Sequence, residues 1–267
     1  MEFIHLSVNQ QQYLLSSENI QEIINYPHLK KIPNSSSYIE GLFNHKGSLV
    51  PLISMRKLLN FDSFEDEQLK VLKKVLNDHQ SWVEDLKKSL LEGVKFEKSL
   101  DPKKCEFGKW ISKISSCLSC NQNGFNDLIK KHIIPFHDNL HREGKIFLEE
   151  NNRGKFEEQI KKIEEYCIGT INGIKKMEEE MDKLPSAFER VIVYDLDGMI
   201  VGFTIDSVEK LYELNEKSFF NYKEALSKSN QFIHFIDHYE IDGVLMFSMK
   251  LIKKSILEAI DEVMAPA

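Results

Sequence analysis

The chain has 267 residues, of which 42% are hydrophobic and 29% charged, and carries a formal net charge of −7. That length holds one or two compact domains, and 17 Phe argue for a packed core over disorder. The negative charge, with no Lys/Arg cluster interleaved with aromatics, excludes nucleic acid as a partner; with no basic leader and no run of roughly 18 apolar residues, a cytoplasmic protein without direct membrane insertion is expected.

Residues 3–59 read as short strands. FIHLSV leads into the polar turn NQQQ and then YLLSS, and YIEGLFNHKGSLVPLISM reads as strand, turn at Lys46-Gly47-Ser48, and strand, with Pro51 tolerable at a strand start or edge. At Phe61 the chain turns Lys/Glu-rich and periodic at helical spacing. Helices are predicted over 66–93, 105–114, 124–150 and 153–183, with Gly93, Asp101-Pro102 and Asn151-Asn152 as breakers. After Leu184-Pro185, strands return around turns at Asp197-Gly198 and Asp242-Gly243, and an amphipathic helix over 250–263 closes the chain. The fold class is α+β and multi-domain: 1–64 and 185–267 are two halves of a β-domain, and 65–184 is a helical domain inserted between them, which requires that its ends lie close together.

The four cysteines, at 105, 117, 120 and 167, all fall in the inserted segment. Disulfide frameworks belong to small Cys-dense secreted domains, so reduced thiols, one or more of them on a metal, are the reading here. His137 and His141 are four residues apart, which on a helix puts both imidazoles on one face within reach of one ion. A thiolate and one further imidazole would complete a tetrahedral site, and His79 and Cys105 are the remaining candidates. His132 competes, but five residues turn about 500° on an uninterrupted helix and leave it about 140° from His137, unless Pro135 re-aims what precedes it. Cys117-Leu118-Ser119-Cys120 has no second pair at ribbon spacing and reads as loop; Cys167 reads as a small core residue. Trp82 and Trp110 read as core that also shields the site, and Asp78, Asp138 and Glu143 are candidate acceptors for the free ring N–H groups.

In order along the chain, Ile20-Gln21-Glu22-Ile23, then Gly41 to Pro51 through Asn44-His45-Lys46-Gly47, then Gly202-Phe203-Thr204-Ile205-Asp206-Ser207-Val208 resemble the V-x-E-I, G-x-x-N-x-R-G-x-x-x-P and G-L-x-V-D-x-V stretches of the CheW-like domain of bacterial chemotaxis. The likeness covers nearly all of residues 3–60 and 187–262. It implies a double β-barrel, each barrel five-stranded, that bridges the histidine kinase CheA and the cytoplasmic tips of chemoreceptors as a scaffold without chemistry. Ile20, Glu22, Lys46 and Gly47 are the implied partner-binding residues. Lys46 stands where the family has a receptor-facing Arg, and Ser54 where it has an acid. Gly41, Gly47 and Gly202 also serve plain backbone needs.

Within the inserted segment, Asp78-His79-Gln80-Ser81-Trp82, Cys105-Glu106-Phe107-Gly108-Lys109-Trp110 and residues 137–144 resemble the D-H-x-x-W, C-x-x-G-x-W and H-x-x-x-H-x-x-A/G motifs of the chemoreceptor zinc-binding domain, a four-helix bundle. That resemblance implies Zn2+ held by His79, Cys105, His137 and His141, with Gly144 for the common Ala a change of little weight to ligation. A non-enzymatic adaptor follows, sensing zinc or an oxidant such as hypochlorous acid through the Cys105 thiolate. A constitutive scaffold with purely structural zinc is the alternative. A zinc hydrolase needs an open metal position and a base such as H-E-x-x-H supplies, whereas Asp138 follows His137. Bundles of this kind often pair, so a homodimer through the helical segment is a further expectation.

Overall fold

The computed structural model describes residues 1–118, 124–150, 156–214 and 230–264. The chain divides into two compact units, Met1–Phe64 with Phe188–Ala267, and Glu65–Ala187.

The first unit is a mixed sheet structure. Strands β1 (Glu2–Val8), β2 (Gln11–Ser16), β3 (Ile20–Asn25), β4 (Ile39–His45) and β5 (Ser48–Ser54) precede the long insertion, and β6 (Arg190–Leu196), β7 (Met199–Ile205), β8 (Ser207–Glu213), β9 (Ile233–Ile241) and β10 (Val244–Leu251) follow it. The tight hairpins arise where two successive residues take positive φ: Lys46 and Gly47 at 51° and 89°, Asp197 and Gly198 at 54° and 96°, Asp242 and Gly243 at 53° and 76°. That pair of left-handed residues matches the right-handed twist of the flanking strands. Two five-stranded sheets result, ordered β8-β1-β2-β10-β9 and β3-β6-β7-β5-β4. Each mixes chain from both sides of the insertion, joined in the middle by a parallel pair, β2 with β10 and β5 with β7.

Each sheet curls. Tyr212 of β8 shares a cluster with Tyr239 and Ile241 of β9 around Phe3, Leu14 and Met246, and Ile24 of β3 shares one with Phe43 of β4 around Leu52 and Val191. The end strands thus share the core inside each curl, but among the described residues no ladder joins β8 to β9 or β3 to β4. The barrels implied by the resemblance are therefore curled sheets with an open ladder. Between the sheets, Leu6, Val8 and Leu15 meet Ile192, Val201 and Phe203, with Ile256 and Ile260 of a closing helix, α8 (Lys253–Met264), over the same core. Gly202 is required by this packing, since a Cβ there would lie 2.8 Å from both Leu52 Cδ1 and Phe43 Cε1. A short helix α1 (Met55–Leu58) ends the first half.

The second unit is helical: α2 (Phe64–Glu92), α3 (Glu106–Leu118), α4 (Gly124–Leu128), α5 (Ile134–Glu150), α6 (Phe156–Glu179) and α7 (Pro185–Phe188). Leu72, Val75, His79, Trp82, Val83 and Leu86 recur at i, i+3 and i+4 along the buried face of α2. Trp82, Val83 and Leu86 pack with Leu140 and Phe147 of α5 and Ile160, Ile163 and Cys167 of α6. The single helix predicted over 124–150 is interrupted by one π-turn, Ile129–Ile133, between α4 and α5. Pro135 explains it: without an N–H, and with a ring that crowds the preceding turn, proline cannot continue the α ladder unaltered. No helix among the described residues is long and apolar enough to cross a membrane.

Candidate metal centre

His79 belongs to the apolar stripe of α2, and it is 4% exposed. An imidazole in that position must satisfy its nitrogens locally. Its Nδ1 lies 2.9 Å from the Val75 carbonyl one turn back, so Nδ1–H donates there and Nε2 is left with a free lone pair. His137 and His141, one turn apart on α5, are 2% and 0% exposed with ring centroids 4.7 Å apart. The spacing read from sequence therefore lies on one buried helix face.

Cys105 immediately precedes α3. Its Sγ accepts the Gly108 N–H at 3.2 Å, as a capping Ser or Asp oxygen would, so a thiolate here meets the positive end of the helix. Gly108 allows the approach, because a Cβ at that position would fall 1.7 Å from the Pro102 carbonyl oxygen. Cys105 Sγ reaches His137 Nε2 at 3.2 Å, and one ligand atom from each of His79, Cys105, His137 and His141 lies within 4.8 Å of the others.

The polar atoms of this cluster suit a metal ion. His79 Nε2 and both ring nitrogens of His141 are buried without a hydrogen-bond partner, which ordinarily costs about 1–3 kcal/mol per group. Three imidazoles and one thiol within reach of one another are the donor set of a tetrahedral metal site, so the residues fit a bound ion. Aromatic rings close the site: Trp82 lies 5.1 Å from the His141 ring, and Phe107, stacked on Trp110, is edge-on to His79 and His137. The Trp indoles are anchored, Trp82 to the Ser99 carbonyl and Trp110 to Gln68 Oε1. One side remains open, where a cavity of about 260 Å3 is lined by Asp78, Lys98, Lys104, Cys105, Glu106 and His141.

Burial, then the mutual repulsion of the rings, pushes His137 down to about 2; burial, then His79, pushes His141 down to about 4. Burial likewise lowers His79 and raises the Cys105 thiol, the latter against the N–H groups of Gly108 and Phe107 that favour the thiolate. A pH dependence follows. The folded, metal-free unit resists protonation of these imidazoles while the unfolded chain takes up protons below about pH 6.5, so stability is present above that value and is lost as pH falls toward the depressed values. Thermal melts of chelated protein should show a midpoint that drops steadily from about pH 7 to about pH 4, at about 1.4 kcal/mol per pH unit for each proton taken up.

Several expectations are corrected. The His79 ring N–H is taken by a carbonyl, not a carboxylate. Asp138 Oδ1 stands 3.7 Å from His137 Nδ1, and Glu143 pairs with Lys162 and Arg142 instead. Gly144 matters more than its motif suggests, because a Cβ there would come 2.3 Å from Trp82 Cη2 and displace the ring over His141. His132 is exposed on the π-turn, away from the cluster. Cys117 and Leu118, expected in a loop, instead end α3; the side chain of Cys117 and all of Cys120 lie outside the described residues, and Cys167 is buried in the helical core with its Sγ 3.8 Å from the His79 carbonyl. Gln68 and Ser99, which hold the two indoles, carry no pattern that sequence reading could have found.

In the first unit, Ile20 opens β3 partly buried, and Glu22, two residues on, has its Oε1 2.8 Å from Lys46 Nζ and 2.9 Å from His45 Nε2. The Lys46 ammonium beside it, chiefly, holds Glu22 below its ordinary range. Gly47 donates its N–H to Asn44 Oδ1, which fixes the turn. Thus β3 and the β4–β5 turn meet through half-buried Glu22, with exposed Lys46 and the more buried His45 beside it.

Comparison with known proteins bears on this unit. Residues 2–80 match the family model for the CheW-like domain, 79 of 267 residues. The chemotaxis protein CheW of Thermotoga maritima is 25% identical over 69 residues, which is 26% of this chain and 45% of that protein. The chain thus spans less than half the length of the curated relative it matches. Among solved structures, the scaffolding protein TtCheW of Thermoanaerobacter tengcongensis aligns with a TM-score of 0.43 at 12% identity, over 94% of this chain and 88% of that one.

Proposed function

We propose that the protein is a non-enzymatic, cytoplasmic chemotaxis adaptor that couples chemoreceptors to the histidine kinase CheA. The inserted helical unit, a zinc-binding bundle, adds an input through one Zn2+ held by His79, Cys105, His137 and His141. The likeness of residues 2–80 to the CheW-like domain supports the adaptor role. The observation that carries the zinc reading is the buried cluster of three imidazoles and a thiol with orphaned ring nitrogens. Zinc suits it because a d10 ion takes N and S donors tetrahedrally at roughly 2.0–2.3 Å. Four protein donors leave no position for a water, which weighs against hydrolysis.

Cys105 is the reactive member. A zinc-bound thiolate gives two electrons to an oxidant and gains oxygen as a sulfenic acid, which is a poorer ligand. The adjoining cavity, lined by Lys98 and Lys104, admits a small oxidant to the sulfur. Metal analysis and thiol titration before and after mild oxidant, with pull-down of CheA and a receptor tip, test the proposal. One zinc per chain is expected, released as one thiol is lost, with altered capture of the partners; a Cys105→Ser variant should bind zinc more weakly and ignore the oxidant. The alternative of a permanent structural zinc draws on the same four donors. Zinc retained through oxidation, with unchanged capture, would favour it.

A further inference from the structure

Gly144 is buried inside α5, about one turn beyond His141. Alanine favours a helix interior over glycine, so a glycine kept there has a tertiary reason. Trp82 of α2 supplies it. A Cβ at 144 would lie 2.3 Å from Trp82 Cη2 and 3.2 Å from both Cζ2 and Cζ3, which form the far edge of the indole. Carbon atoms in ordinary contact stand about 3.5–4.0 Å apart, so that edge fills a notch the missing side chain leaves.

The other edge of the ring is pinned as well. Its Nε1–H donates to the Ser99 carbonyl at 3.0 Å, and Phe96 stands edge-on to it with centroids 5.3 Å apart. Ser99 is held in turn by its neighbour Lys98, whose Nζ lies 3.0 Å from Asp85 Oδ2 and 2.5 Å from Ser81 Oγ, both on α2. Fixed at both edges, the rigid indole lies 5.1 Å from the His141 ring and walls the cavity that opens on Cys105 and His141.

We infer that Trp82 and Gly144 are plug and notch of a gate that sets how fast metal enters and leaves the site of His79, Cys105, His137 and His141, while donating no ligand themselves. This rests on the zinc reading above and adds its kinetics to it. Metal exchange requires an incoming donor to reach the ion while a protein ligand swings away. The seated indole denies His141 the room to swing and denies the donor its approach from that side. Unseating it breaks the bond to Ser99. A gate speeds entry and exit alike, so its loss changes both rates and leaves affinity, which the four donors fix, in place.

Release of zinc from the loaded full-length chain to a chromogenic chelator, uptake by the metal-free chain, and equilibrium competition give the two rates and the affinity. The visible band of the cobalt(II)-loaded chain reports whether the four donors still ligate. Gly144→Ala is expected to speed release and uptake together by roughly five- to tenfold, the population effect of one neutral hydrogen bond, with affinity and cobalt band unchanged. In a Trp82→Phe background the shorter ring vacates the notch, so the same added methyl group should slow release instead. Unmoved rates, an affinity loss of about 10- to 100-fold with unmoved uptake, as for an ordinary supporting group around a metal, or the same sign in both backgrounds overturns the gate. Should either single variant fail to fold, the other decides by the same comparison of rates with affinity. Wild type that binds neither ion overturns the zinc reading and the gate with it, whereas wild type that binds zinc and variants with unmoved rates overturn the gate alone.

Discussion

Replacing His141 with leucine is expected to change stability in opposite directions with and without zinc. In the metal-free protein the substitution removes a ring whose two buried nitrogens have no partner and substitutes an apolar group of similar size at a position with 0% exposure. Relief of unsatisfied polar groups, about 1–3 kcal/mol each, offsets the altered packing, so the chelated variant should melt at or above the wild-type temperature. With zinc the order reverses. Structural zinc contributes about 10–16 kcal/mol over four ligands, so losing one ligand removes about 2.5–4 kcal/mol and weakens affinity about 10²- to 10³-fold. Competition against a chromogenic chelator measures the affinity, and paired melts with and without zinc measure the sign. A variant destabilised equally in both conditions would reduce the cluster to packing, and the same change at exposed His132 should leave zinc affinity where it was.

That sign reversal also marks what sequence could and could not state. The i, i+4 spacing of His137 and His141 specifies a shared helix face because 3.6 residues make a turn, and α5 presents both rings on its buried side. Which partner atoms the rings use is another matter. His79 is oriented by the carbonyl of Val75 on its own helix, an acceptor every residue possesses and no motif advertises. The strand–helix–strand order is legible from periodicity, and the hairpins from Lys46-Gly47, Asp197-Gly198 and Asp242-Gly243, whose residues tolerate positive φ. The parallel pairs β2 with β10 and β5 with β7 are not, since they join segments separated by the whole insertion and no local signal encodes them. Nor is the burial of Glu189, 3% exposed, which no local pattern signals.

The Gly108→Ala substitution sets local propensity against tertiary contact. Gly108 lies in the first turns of α3, where exchanging Gly for Ala ordinarily stabilises a helix by about 1 kcal/mol. Here the added Cβ would meet the Pro102 carbonyl oxygen at 1.7 Å, its carbon at 2.8 Å and Lys103 Cα at 3.1 Å, all backbone atoms that cannot rotate away. The segment ending at Cys105 must therefore move by more than an ångström, and with it the Sγ that accepts the Gly108 N–H and stands 3.2 Å from His137 Nε2. Ligand geometry tolerates about 0.5 Å. Zinc affinity is accordingly expected to fall at least as far as for loss of a supporting group around a metal, about 10- to 100-fold, with no ligand removed. The Cys105 thiol should react faster with alkylating agents as its zinc is lost, while far-ultraviolet circular dichroism stays near that of wild type because α3 keeps its helix formers. A variant that binds zinc as tightly as wild type and melts higher would mean that helix propensity governs this turn and that the 102–108 contact does not position the sulfur.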